Sequence, residues 1–438
     1  MPTVDRETMN RTNVMEENRE NRRITVSLGA DVSEGYVLRY AQMSDTENVD
    51  AAASEHLEFN SMAMGLETPQ QIGERLAAQV IATIDARDEQ PDRIACDLYP
   101  KFPTTYAAEV LADHYQVPML RMQKCHRAIL DAMDRRENVL GVCLDDLSYG
   151  SDGTLWGGEI LEISGEGFTR LASIHPYQLI GTNMELHSST PWQTAVSMLY
   201  DLARMSHNED EAIRDFVAKQ EASEKVHLLD LCSLNDARAQ YIAQDRNKNT
   251  TRSTAASGLF DAAAAILGFQ RISTPTGRTP MEALTEAAEA FEHNGKSKSQ
   301  IDALYAKLGK LIAAAEEMED PTLEPGDLWE DTDDGAFSET SADDNQDILH
   351  SEQLIRLLAD ERIRYLTSLG KRNYDRPLNL KKPDDGSPDD NSRLLAWFLL
   401  DALATIFIQY CRKKSSSDIV LAGHYLNGGI LQTKFKEK

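Results

Sequence analysis

The sequence predicts an α/β protein built as two lobes. Three observations carry that expectation. Short apolar strands alternate with periodic helices early in the chain. A second run of strands begins near Val139 with a glycine-rich hairpin. A late strand, Asp418 to Ala422, opens directly into Gly423. At 438 residues the chain is long enough to bury a large core and to divide into two lobes.

In order along the chain, residues 1–22 are polar and highly charged and read as a disordered tail. Ile24 to Ala30 reads as a strand, turning through Asp31 to Gly35 into a second strand at Tyr36 to Tyr40. Thr68 to Asp88 has helical spacing in Ile72, Leu76, Val80, Ile81 and Ile84, with Thr68 as the cap. Arg93 to Leu98 is a short strand and Tyr106 to Tyr115 a helix, closing a first lobe over 23–138. The second lobe spans 139–315. It opens with the strand Val139 to Cys143, the hairpin, and a strand at Phe168 to Ile174. From Thr190 it is mainly helical, including Ala262 to Leu267, Pro280 to His293 and Ser299 to Met318. Glu316 to Asp347 carries fourteen acids and no Lys or Arg, with too few apolar residues to pack, so 316–350 reads as an acidic linker or insert. The region 351–438 supplies a helix at Ser351 to Leu369, a polar loop at Lys381 to Asn391, an apolar helix and the last strand. The apolar helix is expected to be capped by Ser392 and to end in Arg412-Lys413-Lys414, which suits its dipole.

Composition excludes several functions. A net charge of −27 argues against a nucleic-acid-binding surface, which needs clustered Lys and Arg. Cysteines 96, 125, 143, 232 and 411 form no Cys-x-x-Cys motif, and an odd count suits reduced thiols in a cytoplasm. Met1 to Arg23 has no apolar core for a signal peptide. The apolar stretch Leu394 to Ile408 is interrupted by Asp401 and falls short of the roughly twenty residues of a membrane span. It reads as a buried core helix. The expected location is cytoplasmic, with neither membrane nor nucleic acid as a partner.

The densest motif follows the strand Val139-Leu140-Gly141-Val142-Cys143. Leu144 to Glu159 sets Gly150, Gly153, Gly157 and Gly158 among Asp145, Asp146, Asp152 and Glu159. A strand feeding a glycine loop is one way to present main-chain N–H groups to phosphate. A plain strand, turn and strand accounts for it equally well. Tyr149-Gly150-Ser151-Asp152-Gly153-Thr154-Leu155-Trp156-Gly157-Gly158-Glu159, however, resembles the C-terminal carbamoyl-transfer region of the HypF-type hydrogenase-maturation carbamoyltransferases. Ala95 to Pro100, Pro191-Trp192, Thr254 to Asp261 and Val420 to His424 are similar to further family motifs in the same order, so the resemblance runs from about Ile24 to the C-terminus.

The resemblance implies an actin-like ATPase (ASKHA) fold, shared with tRNA threonylcarbamoyl transferases, with a nucleotide in the cleft between lobes. It implies ATP or carbamoyl-adenylate as ligand. It also implies transfer of the carbamoyl group to a maturation-protein cysteine thiol. By that likeness Asp145, Tyr149, Gly150, Asp152 and Gly153 frame the phosphates, and Asp261 and Gly423 line the adenosine side. His126 is the residual catalytic or metal group, and Asp145 the second catalytic candidate. The family holds a metal with two histidines at i, i+4 and a late aspartate. Here the first histidine position is Met122, a poor ligand for a hard or borderline metal. No counterpart of the late aspartate precedes Lys438, so a divalent Zn or Fe is not expected. Asp146-Leu147-Ser148 stands where the family has Gly-Thr-Gly, Ser33 where it has a lysine, Ser257-Gly258 where it has Gly-Arg, and His424 where it has a second glycine. The family's adenylate-forming domain has no counterpart either, so a separate protein would supply the adenylate. Two readings stand: a carbamoyltransferase working with separate partners, or a catalytically degenerate homologue acting as a binding or scaffold partner.

Overall fold

The computed structural model describes residues 22–28, 36–43, 49–57, 67–133, 139–164, 167–180, 191–206, 250–270, 278–291, 295–317, 346–372, 389–414 and 418–438. The expected N-terminal tail up to residue 21, the Asp31 to Gly35 turn with Ser33, nearly all of the acidic segment and most of the loop before Asn391 lie outside these residues. The chain divides into two compact units, Met1–Glu137 with Ser148–Ser151, and Asn138–Leu147 with Asp152–Lys438.

The first unit carries β1 (Arg22–Leu28), β2 (Tyr36–Met43), β3 (Val49–Leu57), α1 (Pro69–Asp85), β4 (Arg93–Asp97), α2 (Pro103–Tyr115), β5 (Met119–Met122) and α3 (Lys124–Ala132). Its sheet has the order β3-β2-β1-β4-β5. The β1–β2–β3 pairs are antiparallel, and β1–β4 and β4–β5 are parallel. Thr68 caps α1 as expected, closing a capping box with Gln71. The apolar stripe Leu76, Val80 and Ile84 packs into a core with Val26, Leu28, Leu38, Ile94 and Leu111. α1 and α2 approach closely because residue 73 is glycine: a Cβ there would stand 2.5 Å from the Pro103 carbonyl oxygen.

The second unit carries β6 (Val139–Tyr149, its last two residues in the first unit), β7 (Leu155–Ser164), β8 (Gly167–Ile174), β9 (Tyr177–Ile180) and α4 (Pro191–Ser206). These are followed by β10 (Thr250–Ser253), α5 (Ala256–Leu267), α6 (Pro280–Glu289), α7 (Gly295–Glu316), β11 (Asp347–Leu349) and α8 (Glu352–Arg372). Last come α9 (Asp390–Lys414), β12 (Ile419–Ala422), a 3-10 turn His424–Leu426 and α10 (Gly429–Glu437). Strand order is β11-β8-β7-β10-β9, with β6 joining β7 and β12 joining β6 in parallel. α5, rich in alanine, is buried along nearly all its length.

Two expectations about the apolar helix are corrected. Its cap is Asp389, not Ser392: the Ser392 N–H donates to Asp389 Oδ1 at 2.8 Å. Its length is 25 residues, so among the described residues α9 is long and apolar enough to cross a membrane by length and composition alone. Burial, not shortness, makes it a core element, since most positions from Leu394 to Cys411 are enclosed by protein. Asp401, 4% exposed in its middle, is paired with Lys434 at 3.3 Å and Lys438 at 2.8 Å.

Candidate functional site

The site of the second unit is built where β12 ends beside the middle of the parallel strand β6. β12 runs beside β6 with Ala422 opposite Cys143. Gly423, at φ +92°, carries the backbone across Leu144, and a Cβ at 423 would lie 2.4 Å from the Leu144 carbonyl oxygen. Only glycine fits both the conformation and the approach. The turn that follows presents Tyr425, whose hydroxyl donates to Asp146 Oδ1 and whose ring meets Phe260 of α5 edge-on at 4.9 Å. Asp145, buried beneath, accepts the Asp146 N–H at 2.8 Å. Asp261, next to Phe260 on α5, completes the group. Burial, then the charge of Asp146, pushes the Asp261 carboxyl up to about 8. Burial, then Asp146, likewise holds the Tyr425 phenol well above its ordinary range. Asp145, Asp261 and Gly423 are thus brought together, with Asp146 and Tyr425 added to them.

Asp152 and Gly153 serve a different structure. Asp152 Oδ1 accepts from the Thr154 N–H and hydroxyl and from the Trp156 indole at 2.9, 2.7 and 2.9 Å. Its Oδ2 accepts from Arg170 at 2.9 Å. Arg170 lies 3.9 Å from the Trp156 ring centroid and donates to Glu159 Oε2 at 2.8 Å and Thr254 Oγ1 at 3.0 Å. Glu159 is fully buried, and its other oxygen accepts from the Thr254 hydroxyl and the Gly157 N–H. Gly157 and Gly158 leave no room for a Cβ against the Asp145, Asp146 and Thr254 carbonyls. The Asp-Gly-Thr-Leu-Trp-Gly-Gly-Glu run therefore works as a clamp that fixes the β6–β7 hairpin to the start of α5.

That start has no side-chain cap of its own, because Ala255 stands at the N-cap. Tyr177 of β9 takes over: its hydroxyl donates to the Ala255 carbonyl at 2.9 Å and is hydrogen-bonded by the Gly258 backbone. A Cβ at 258 would lie 2.0 Å from that hydroxyl oxygen, so the position where the family has arginine has no space for a side chain.

The remaining candidates belong to the first unit. Gln123 caps α3, accepting from the His126 N–H at 3.2 Å, and donates to Ser148 Oγ at 2.9 Å. His126 is buried on α3, and burial lowers its imidazole to about 4, so it is neutral at pH 7. Tyr149 packs against Tyr99 at 5.6 Å, and Gly150 beside it is buried. Met122 ends strand β5 while His126 lies in α3, so the two do not share a helix face. Among the described residues no group of three or more His, Cys, Asp or Glu is placed to hold a metal ion, and the family's metal does not fit them. Arg170, Thr254, Tyr177 and Tyr425 were not legible as site residues. Arg170 alone left a signal, the one charge in the short strand β8, where it stands opposite Leu161 of β7.

Residues 141–329 match the family described as carbamoyltransferase, Kae1-like domain, second subdomain. The carbamoyltransferase HypF homolog of Cupriavidus necator is 32% identical over 188 residues, 42% of this chain and 43% of that protein. Carbamoyltransferase HypF of Rhizobium leguminosarum bv. viciae is 30% identical over 266 residues, 59% of this chain and 30% of that protein. The crystal structure of full-length HypF in the phosphate- and nucleotide-bound form shares the fold with a TM-score of 0.59 at 14% identity. It covers 95% of this chain and 50% of that one. T. kodakarensis HypF gives 0.58 at 16% identity, covering 96% and 44%. The chain spans half or less of the length of these relatives. Its α/β fold is the one these HypF structures have, and residues 141–329 are similar to the Kae1-like domain of carbamoyltransferases.

Proposed function

We propose that the chain holds an adenylate where β12 ends beside β6 and passes its carbamoyl group to the thiol of a separate acceptor protein. The adenylate comes from another protein, and the setting is cytoplasmic. The observation that carries this reading is the intact clamp of Asp152, Arg170, Glu159 and Thr254. It holds Asp145 and Asp146 against α5, the arrangement a ligand at the strand ends requires. In the step, sulfur bonds to the carbamoyl carbon and the bond from that carbon to the adenylate oxygen breaks. AMP leaves, and Asp145 takes the thiol proton. Asp261, still carrying its proton at neutral pH, donates a hydrogen bond to a ligand oxygen and adds no negative charge. No step passes through a metal.

Calorimetric titration with ATP and with AMP, with and without Mg²⁺, tests the reading. Micromolar binding that weakens as pH passes 8 is the expected result, because ionised Asp261 would then join Asp145 and Asp146 in repelling phosphate. No binding by the folded protein overturns it. The second reading, a degenerate homologue that binds a partner, is favoured by the misfit of the metal ligands. Absence of carbamoyl transfer to a thiol-bearing acceptor, given a competent adenylate donor, would select it.

A further inference from the structure

We propose that the site where β12 ends beside β6 selects its ligand by charge: Asp146, held in place by Tyr425, favours an adenylate with a single negative charge over nucleotides that carry more. The proposal rests on the adenylate reading above and adds the class of adenylate. Three contacts fix Asp146. The Tyr425 hydroxyl donates to its Oδ1. Its own N–H donates to Asp145 Oδ1 at 2.8 Å. Behind it, Gly157 lies so close that a Cβ there would stand 2.7 Å from the Asp146 carbonyl oxygen. Tyr425 is seated in turn, with its ring edge-on to Phe260 at 4.9 Å and its backbone following the tight Gly423 crossing over Leu144. Asp146 is nonetheless exposed where Asp145 is buried, so it is the carboxylate of the two that a ligand meets.

A carboxylate that is held and cannot turn away repels an incoming phosphate, and the repulsion grows with each charge the phosphate chain adds. Asp261 sits close enough to feel the charge of Asp146 and keeps its proton up to about 8, so at neutral pH the exposed charge of the group is that of Asp146. A carbamoyl-adenylate keeps a single ionisable oxygen on its phosphorus. AMP, a phosphate monoester, carries close to two charges at neutral pH, and ADP and ATP carry more. The expected order of affinity is therefore singly charged adenylate, AMP, ADP, ATP. That order keeps the site free of ATP, the reactant from which an adenylate is formed, and admits the adenylate itself.

Calorimetric titration of the full chain at neutral pH and low salt, without Mg²⁺, tests it. The probes are the 5′-phosphate methyl ester of AMP, which is singly charged, and AMP, ADP and ATP. Binding is expected to weaken at each added charge, with ATP roughly three- to tenfold weaker than the methyl ester. Asp146→Asn keeps an acceptor for the Tyr425 hydroxyl, and Tyr425→Phe frees the Asp146 carboxylate to turn away. Both are expected to shrink that ratio and to change the affinity for the methyl ester little. Raising salt is expected to narrow the ratio in the wild-type protein, because repulsion is screened, and this readout needs no variant to fold. Equal or rising affinity along the series, a ratio that salt widens, or a ratio unchanged in Asp146→Asn overturns the charge selection alone. Failure of the folded protein to bind any of the four overturns the adenylate reading and this proposal with it.

Discussion

Asp261 holds its proton up to about pH 8, against an ordinary carboxyl value of 3.8, because it is buried and faces Asp146. The folded state therefore binds a proton that the unfolded chain has released across that interval. Stability from this group is present in full below pH 3.8 and is lost as pH rises toward about 8. Urea unfolding at a series of pH values is expected to show this decline in the wild type and to show it flattened in Asp261→Asn. Gly258 gives a second residue-scale test. A methyl group there meets the Tyr177 hydroxyl at 2.0 Å, so Gly258→Ala is expected to cost about 1–3 kcal/mol through overpacking. The same change in a Tyr177→Ala background is expected to cost far less, a non-additivity that a double-mutant cycle of unfolding free energies would read.

At the scale of elements, the β6–β7 hairpin carries a buried ion pair as well as its apolar core. Glu159 is fully buried and Arg170 is its cation, so Arg170→Met leaves a buried carboxylate uncompensated at a cost of about 3–5 kcal/mol. Thermal unfolding would measure it, with partial recovery expected in the Arg170→Met, Glu159→Gln double variant. The start of α9 discriminates between two caps. Asp389→Ala is expected to lose about 1 kcal/mol or more, since its side chain accepts the Ser392 N–H and pairs with Arg362 at 2.8 Å. Ser392→Ala, whose hydroxyl only donates back to the Asp389 carbonyl, is expected to lose less. Comparing the two by chemical denaturation decides which residue caps the helix. The sequence reading chose Ser392 because serine is a favoured cap type. The backbone placed the non-helical residue three positions earlier, and a second favoured type was waiting there.

For the molecule as a whole, the charge of −27 sets a mild self-repulsion. Raising salt from about 0.01 to 0.15 M shortens the Debye length from about 30 to 8 Å. The melting temperature is therefore expected to rise modestly with salt, and a flat or falling trend in a salt series would show that the acids are already locally paired. The same scale separates α9 from a membrane helix. Its composition passes for one, but Asp401 sits in its middle, and Lys434 and Lys438 of the C-terminal region reach that carboxylate. That pairing joins residues more than thirty positions apart and is invisible to any window of sequence.

The sequence by itself carried the resemblance to the HypF-type carbamoyltransferases, the α/β class, the Thr68 cap and the glycines of the hairpin. All of these depend on spacing within a few residues, where periodicity and turn chemistry are readable. Motif likeness singled out Asp145, Asp261 and Gly423, and the fold sets the three around Tyr425. Only the tertiary structure decided what each motif residue does. Asp152 proved to be a clamp for Arg170, Gly258 proved to be space for the Tyr177 phenol, and Tyr425 was set on Asp146 across 279 positions of chain. Long-range hydrogen bonds and steric exclusion are properties of which surfaces meet, and no local pattern records that meeting.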